Sequence, residues 1–372
     1  MNFEGSKILF LGDICADSFE FEDVEKFKQT KLYDFLKNYD GVIVGNLEAP
    51  ILRKNIIVNS NKFSLLNSPD VKEFFNFCNV VTIANNHIFD QGYEGYSSTI
   101  DWLKKHNILY CGAGDNIKNA RKPVVFNVEN NTIALLAYNC YSTNSQHNAE
   151  ASSFGTSPLI FDYIEEDIKE TKKQYGNNVR IFILPHWGIE NEFSPTAEQV
   201  VFSRHLSDLG ISGIISTHTH TIQVDERFNN VPIYYSLGNF LFNNFKLPGG
   251  QKYYQHKYNK EGCIVEFEFG DDGSVANREY YIQLGDDMIP ELASIDGLQT
   301  PIIKNRDEFN SISSKINYKQ CEKDLSLELK FNGRSMQVVY GDSVLKKNFS
   351  LKKASFSSKI KRLVIHKLRR LL

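Results

Sequence analysis

Ten side chains that can bind metal ions or move protons stand at the ends of apolar, β-rich segments. They are carboxylates, carboxamides and imidazoles: Asp13, Asn46, Glu48, Asn86, His87, Asp90, His186, Glu190, His218 and His220. Oxygen and nitrogen donors in this mixture suit divalent ions such as Mn²⁺, Fe²⁺ or Zn²⁺. Because sites in open α/β sheets lie where strands end, the pattern predicts metal chemistry at one rim of a sheet.

The sequence Thr-His-Thr-His at 217–220 is the most informative of these signals. In an extended segment alternate side chains point the same way, so His218 and His220 would both face one pocket. A carboxylate shared by two ions, from Glu48 or Asp13, would hold the ions close together around a tetrahedral reaction centre. The alternative is a solvated loop with no ligand role.

The stretch TIANNHIFDQG at 82–92 sets amides, an imidazole and a carboxylate directly after an apolar run. This is typical of a buried strand that delivers polar groups to a loop. Asp90 could orient His87, or it could cap the helix that follows. His186 could likewise be a ligand or a core histidine bonded to a backbone carbonyl. A site is favoured because all these residues fall at the ends of separate β-rich runs.

Six short apolar runs provide the strands that must position these residues. They are KILFLGD, GVIVGNLEAP, VVTIANNH, TIALLAYN, VRIFILPHWG and GIIST, with helix-like segments at 70–78, 94–106, 162–175 and 195–209. The alternation predicts an α/β sandwich whose strand ends share one rim. Residues 1–260 carry this pattern. Residues 261–345 look like a β-rich extension, with a hairpin signal at Asn332-Gly333 and a helix near 305–315.

The charge of the chain is unevenly distributed. Residues 351–372 hold eight of the 42 lysines and arginines and no acids, which leaves 34 basic against 45 acidic residues, or −11, in residues 1–350. An acidic body argues against binding of nucleic acid. The six cysteines are scattered without a CxxC motif, as expected of buried thiols in a reducing compartment. With no signal peptide and no 18-residue apolar stretch recognisable, we expect a cytoplasmic location.

Six ordered motifs resemble those of a known family. They are LGD at 11–13, GNLEAP at 45–50, ANNHIFDQG at 84–92, PHWGIE at 185–190, STHTHTIQ at 216–223 and YYSLGNFLF at 234–242. In this order and at roughly this spacing they resemble the bacterial capsule-synthesis CapA proteins, which are associated with poly-γ-glutamate and capsular polymer production. The resemblance covers roughly residues 6–245. It implies the calcineurin-like metallophosphoesterase fold, a sandwich of two mixed sheets flanked by helices.

The resemblance also implies roles for individual residues. One or two divalent ions, Mn, Fe or Zn, would be held by Asp13, Glu48, Asn86, His186, His218 and His220. Glu48 would take the bridging position, and His87, oriented by Asp90, would face the substrate as a proton donor. The residues expected to support the ligands or contact the substrate are Asn46, Asn85, Glu190 and Asn239. For Asn239 the alternative is a tight turn in which Gly238 supplies positive φ and Asn239 bonds to backbone.

The sequence departs from the superfamily pattern at two ligand positions. Cys15 stands where the superfamily has a second histidine of its first motif, which puts one of the two metal sites in question. Glu48 replaces an aspartate, so the bridging arm is longer by one methylene. In addition, Ser216-Thr217 replaces the glycine that precedes the paired histidines.

These observations predict metal-assisted hydrolysis of a phosphoester or amide bond in a surface polymer or its precursor. A protein of another class is the alternative: a non-catalytic, metal-containing partner of a membrane polymer synthase or export complex. His87 and Asp90 favour catalysis, because a structural metal requires neither.

The tail at 346–372 predicts a membrane or partner contact. On a helix from Ser358, one apolar stripe forms from Ile360, Val364, Leu368, Leu371 and Leu372, and most of the basic residues fall elsewhere. Basic helices of this kind lie in the membrane interface. We therefore expect 351–372 to bind the inner face of the membrane or a polymer synthase or export partner. The alternative is that the stripe docks on the protein's own sheet.

Overall fold

The computed structural model describes residues 1–52, 64–140, 143, 147–247, 250–270 and 274–313. The expected hairpin at Asn332-Gly333 and the basic tail at 351–372 lie outside the described residues. Within these ranges, no helix combines the length and the apolar character needed to cross a bilayer.

The first sheet has eight strands and is mixed. Its order is β19-β18-β17-β2-β3-β4-β5, and β14 also pairs with β2. Strands β2 to β5 and β14 run parallel, whereas β17, β18 and β19 are antiparallel. The bounds are β2 Lys7–Cys15, β3 Val42–Leu47, β4 Val80–Thr82, β5 Leu109–Cys111, β14 Asn239–Phe242, β17 Glu261–Phe269, β18 Val275–Leu284 and β19 Pro290–Ala293.

The second sheet has seven strands in the order β1-β7-β8-β10-β11-β13-β12 and is also mixed. Its centre is parallel, with β8, β10, β11 and β13 side by side. The bounds are β1 Asn2–Phe3, β7 Val124–Val128, β8 Asn131–Asn139, β10 Arg180–His186, β11 Gly213–Ile215, β12 Asp225–Phe228 and β13 Val231–Tyr234. Two small antiparallel pairs lie outside both sheets: β6 Ala113–Gly114 with β9 Gly155–Thr156, and β15 Phe245–Lys246 with β16 Lys252–Tyr253.

The two sheets pack face to face and helices cover their outer faces. Phe10 and Phe267 of the first sheet contact Phe182 of the second, with ring centroids 5.2 and 5.0 Å apart. Helices α1 Phe21–Phe27, α2 Lys31–Lys37 and α3 Gly92–Lys105 bury apolar residues on the first sheet, and α5 Phe161–Tyr175, α6 Ala197–Ser207 and α7 Ile302–Ser313 on the second. The short α4 spans Ile117–Ala120. The predicted sandwich of two mixed sheets flanked by helices is confirmed.

The segment from 261 to 293 belongs to the first sheet. Strand β17 pairs antiparallel with β2, from Val265 opposite Phe10 to Glu268 opposite Lys7. The expected division at residue 260 therefore falls between two strands of one sheet. Helix α7 follows, and Arg306 ties it to both sheets through ion pairs with Asp225 and Glu279.

Candidate metal centre

The predicted ligands meet where strands of both sheets end. Asp13 lies near the end of β2, and Glu48 directly follows β3. Asn86 follows β4, and His186 is the last residue of β10. The two remaining histidines follow β11. The expected shared rim therefore exists, and strands of both sheets contribute to it.

A first group of donors surrounds Nε2 of His186. This nitrogen lies 2.9 Å from Asn86 Oδ1, 3.2 Å from His218 Nδ1 and 3.5 Å from Glu48 Oε1. Burial lowers the pKa of His186 well below its ordinary value, and the neighbouring histidines lower it further. Burial likewise lowers the pKa of His218 to about 3. Both imidazoles are therefore neutral at pH 7, which is the form that binds a metal ion.

A second group consists of Asp13, Glu48 and His220, whose ligand atoms all lie within 4.8 Å of one another. His220 Nδ1 is 3.7 Å from Asp13 Oδ2, and His220 Nε2 is 3.8 Å from Glu48 Oε1. Glu48 belongs to both groups and so occupies the position that a bridging carboxylate would take.

The surroundings of Glu48 test whether a cation fits here. Its side chain is fully buried, and neither carboxylate oxygen has a hydrogen-bond partner among the described residues. Burial raises the pKa of Glu48 well above its ordinary value, and the nearby Asp13 raises it further. Burying a carboxylate without a partner costs roughly several kcal/mol of folding free energy. A cation between the two donor groups would neutralise this charge. The donor set therefore fits one or two divalent ions.

Asn46 and Asn85 hold the ligands and the following loop in place. Asn46 Nδ2 donates to Asp13 Oδ1 over 2.7 Å, while its Oδ1 accepts from Thr82 and Asn85. Asn85 Oδ1 in turn accepts from the backbone N–H groups of His87 and Ile88. These bonds, together with the bond from Asn85 Nδ2 to the backbone oxygen of Leu47, engage the side-chain amides of both asparagines, so both position other residues.

Asn239 orients His220. Its Oδ1 lies 2.9 Å from His220 Nδ1, and its Nδ2 donates to the backbone oxygen of Asn259 over 2.9 Å. The second bond fixes which end of the amide faces the imidazole. Nδ1 of His220 is therefore the protonated nitrogen, and Nε2 is left to face Glu48. Gly238 has the positive φ, 70°, that the turn interpretation required.

The segment carrying the paired histidines is not extended, contrary to expectation. The φ angles of His218 and His220 are 104° and 57°, in the left-handed region that few residues other than glycine adopt. The backbone N–H of His218 donates to Asp13 Oδ2, and Asn259 Nδ2 donates to the backbone oxygen of His220, both over 3.0 Å. These bonds stabilise a bent backbone at 218–220. In this conformation both histidine side chains lie among the proposed ligands.

His87 and Asp90 form a hydrogen-bonded pair beside the ligands. His87 Nδ1 lies 2.8 Å from Asp90 Oδ2, which also accepts from the backbone N–H of Leu65 over 2.7 Å. Burial disfavours the charged imidazole, but the carboxylate of Asp90 outweighs it, so the pKa of His87 is raised. Helix α3 begins after Gln91, and no side-chain bond caps it. Asp90 therefore contacts the histidine and not the helix end.

The family model described as the bacterial capsule synthesis protein PGA_cap matches residues 7–244. The chain belongs to this family. The PGA biosynthesis protein CapA of Bacillus subtilis is 30% identical over 249 residues, 63% of this chain and 62% of the relative. The capsule biosynthesis protein CapA of Bacillus anthracis is 27% identical over 247 residues, 64% and 57% of the two chains. The chain thus spans less than two thirds of the length of these relatives.

Among solved structures, the calcineurin-like phosphoesterase YfkN of Bacillus subtilis is similar, with 13% identity and a TM-score of 0.41. The alignment covers 82% of this chain and 95% of that one. A similarity this distant supports no conclusion about this chain, and the family assignment rests on the family model.

Two predicted positions of this family member lie apart from the donor groups. Glu190 is exposed at the rim, where its charge raises the pKa values of Glu48 and His87. Cys15 is buried in an apolar cluster with Ala49, Leu65 and Phe242, and burial raises the pKa of its thiol well above the ordinary value. Within the described part of the chain, neither donor group includes the Cys15 sulfur. The thiol therefore does not replace the superfamily histidine.

Asn259 was not predicted from the sequence, although it supports two residues of the centre. It lies in a 3₁₀ turn, Lys257–Lys260, and is 2% exposed. Its side chain also donates to Asn191 Oδ1 over 2.8 Å and accepts from the backbone N–H of His256. No motif marks it, because its partners are distant in sequence.

Proposed function

We propose that the chain is a divalent-metal-dependent hydrolase of capsule or surface-polymer biosynthesis. It would cleave a phosphoester or amide bond in the polymer or in a precursor. The observation that carries this proposal is a fully buried carboxylate, Glu48, shared by two donor groups beside the His87–Asp90 pair. Membership of the capsule synthesis family supports the polymer as the substrate class.

The first donor group offers four ligands for an ion, Glu48, Asn86, His186 and His218, and the second offers three. Nitrogen and oxygen donors of this kind suit Mn, Fe or Zn. Such ions supply Lewis acidity and neutralise negative charge that develops on a phosphoryl or carbonyl oxygen.

His87 would move the proton. Its Nδ1 is held by Asp90, so Nε2 is the nitrogen that exchanges a proton with the substrate. Because the pKa of His87 is raised, the imidazole keeps its proton nearer to neutral pH and can donate it to a departing oxygen or nitrogen. Asp90 stabilises the charged ring and fixes its orientation, and the bond from Leu65 fixes Asp90.

A non-catalytic partner of a polymer synthase is the second candidate. The position of Cys15 favours this non-catalytic role. Its buried thiol lies outside both donor groups, so the second group has one ligand fewer than in the calcineurin-like superfamily, where a histidine stands at this position. A structural metal would need the donors but not the pair formed by His87 and Asp90.

The test is hydrolysis by the Mn²⁺-loaded full chain of three chromogenic probes: p-nitrophenyl phosphate, bis-p-nitrophenyl phosphate and γ-glutamyl-p-nitroanilide. With the probe that is turned over, His87→Ala should keep the metal and lower kcat by ~10²-fold or more, the usual loss for a positioned acid. His106→Ala is the matched control, because His106 stacks on Trp102 at the end of α3, away from the centre. Equal activity in His87→Ala would assign His87 a structural role. Failure of the metal-loaded wild type on all three probes would favour the non-catalytic partner.

A further inference from the structure

The segment at 243–260 differs in charge from the acidic body of the protein, residues 1–350. It contains four lysines, three tyrosines and no acidic residue. We propose that its exposed rings and lysines bind the chain of an anionic polysaccharide and lead it to the metal centre. We call this surface the aromatic–lysine strip and define it as Phe245, Lys252, Tyr253, Tyr254, Lys257 and Tyr258. The assignment as a substrate surface rests on the proposed function.

The strands β15 and β16 present the flat rings of the strip. Phe245 lies opposite Tyr253 in the hairpin, and their rings stack with centroids 4.7 Å apart and an angle of 14°. Tyr253 is 38% exposed and Tyr254 67% exposed, and Lys252 beside them is exposed as well. Exposed aromatic residues bordered by polar groups are typical of binding surfaces.

The 3₁₀ turn Lys257–Lys260 adds a second set of rings and charge. The Lys257 ammonium lies 4.7 Å from the centre of the Tyr258 ring, and Phe193 meets the same ring edge to face at 4.7 Å. Lys257 is exposed, whereas the tyrosine is partly buried. The turn therefore holds a cation beside an aromatic face in a fixed arrangement.

The strip is joined to the metal centre at His220 from two directions. The Phe242 ring lies 4.8 Å from the His220 ring and 6.4 Å from Phe245, which continues to the stacked Tyr253. Asn259, the neighbour of Tyr258, donates to the backbone oxygen of His220. The residues that carry the strip therefore pack directly against His220, one of the proposed ligands, through buried side chains.

The side chains of the strip favour an anionic polysaccharide over other polymers. Flat rings pack against the C–H faces of sugar rings, and lysines neutralise carboxylate or phosphate groups on them. A flexible acidic polymer without rings would gain from the lysines only, and a neutral glycan from the rings only. Glu190, which is exposed at the rim of the centre, would repel a polyanion, and the nearby lysines of the strip would offset that repulsion.

The test measures binding to the full chain by calorimetry. The probes are oligogalacturonate, a neutral dextran oligosaccharide of equal length, and poly-γ-glutamate. Two strip variants, Tyr253→Ala with Tyr254→Ala and Lys252→Gln with Lys257→Gln, are compared with a matched control on α5. The control combines Tyr175→Ala with Lys173→Gln, because that tyrosine is 40% exposed and that lysine side chain 77% exposed.

Each strip variant should bind oligogalacturonate about tenfold or more weakly, the loss expected when a central aromatic or charged contact is removed. The control should bind as the wild type does, and added salt should weaken the lysine variant less than the wild type. Melting temperatures within the range of the control show that the variants are folded. Dextran should bind more weakly than oligogalacturonate to the wild type.

Two results would overturn the proposal. One is unchanged binding in the tyrosine variant together with equally tight poly-γ-glutamate binding, since ring stacking would then have no role. The other is sedimentation of the wild type with phosphatidylglycerol vesicles, lost in both variants, with no glycan binding, which would make the strip a membrane contact. Binding is measured without turnover, so absent hydrolysis by the wild type contradicts the proposed function alone. Unchanged binding in the strip variants contradicts the strip alone.

Discussion

Glu48→Gln should stabilise the metal-free protein and destabilise the metal-loaded one relative to wild type. Without an ion, the wild type holds a fully buried carboxyl group beside Asp13, with a pKa far above the usual 4.5. The folded chain therefore binds more protons at Glu48 than the unfolded chain does. The favourable contribution of this group is complete below pH 4.5 and is lost as the pH rises through the folded-state value.

The magnitude follows from the environment of Glu48. Glutamine keeps the shape of the side chain, removes the charge and can donate to Asp13. At pH 7 the metal-free variant should gain ~1–3 kcal/mol, which is the cost of a buried polar group left without a partner. For a chain of 372 residues that is about 1–4 °C in melting temperature. With an ion at 100 times its Kd, the wild type gains about 2.7 kcal/mol, most of which the variant should lose with its bridging carboxylate.

The assay is thermal unfolding in EDTA and in excess Mn²⁺, each at pH 5 and pH 7. The difference between variant and wild type should change sign on adding the ion, and in EDTA it should shrink from pH 7 to pH 5. Glu291→Gln removes the same charge at an exposed position of the edge strand β19 and should shift stability by about 0.5 kcal/mol or less in either condition. A lower melting temperature for Glu48→Gln in EDTA, or equal stabilisation of both proteins by Mn²⁺, would refute this account of the centre.

Three further predictions concern the groups around Glu48. His218→Ala combined with His220→Ala should remove most of the bound Mn, Fe or Zn by elemental analysis, and a wild type without metal after growth in ample supply would contradict the metal centre itself. Cys15→Ser should leave the metal-to-protein ratio unchanged while lowering stability by ~1–3 kcal/mol, because a hydroxyl enters an apolar cluster; a lower ratio would show that the thiol is a ligand after all. Asn259→Ala should weaken metal binding ~10–100-fold by titration with a competing chelator, since His220 loses its backbone support and Asn239 its anchor. An unchanged affinity for the metal would show that Asn259 contributes to packing only and does not support the metal ligands.

The strands and helices that carry the centre could be predicted from the sequence because their apolar periodicity is strong. The runs that precede Asp13, Asn86 and His186 became β2, β4 and β10, and the helix expected at 195–209 is α6, Ala197–Ser207. Burial on both faces of a central strand produces a nearly continuous apolar run, which is easy to recognise. The ends of elements differ by a few residues, because hydrogen bonds with distant residues set them.

The backbone at the paired histidines could not be predicted in this way. Local sequence favours neither positive φ at His218 nor at His220, since both are ordinary residues with a side chain. The bend depends on a bond that Asp13, 205 residues away, accepts from His218, and on a bond that Asn259, 39 residues away, donates to His220. Such strain, about 1–3 kcal/mol per residue, persists only where surrounding contacts impose it. Asn259 could not be predicted for the same reason, because its role consists of hydrogen bonds with residues that are distant in sequence.

The pairing of β17 with β2 has a consequence for how the protein is made. The strand that carries Asp13 is synthesised long before residues 261–269, so the part of its edge from Lys7 to Phe10 stays without its partner until β17 has been made. All six proposed ligands precede that point, so a nascent chain holds the full ligand set on an incomplete sheet. Unpaired strand edges invite association with other chains. A fragment that ends at residue 244, where the family match ends, should therefore aggregate, and productive folding should begin only after β17 has left the ribosome.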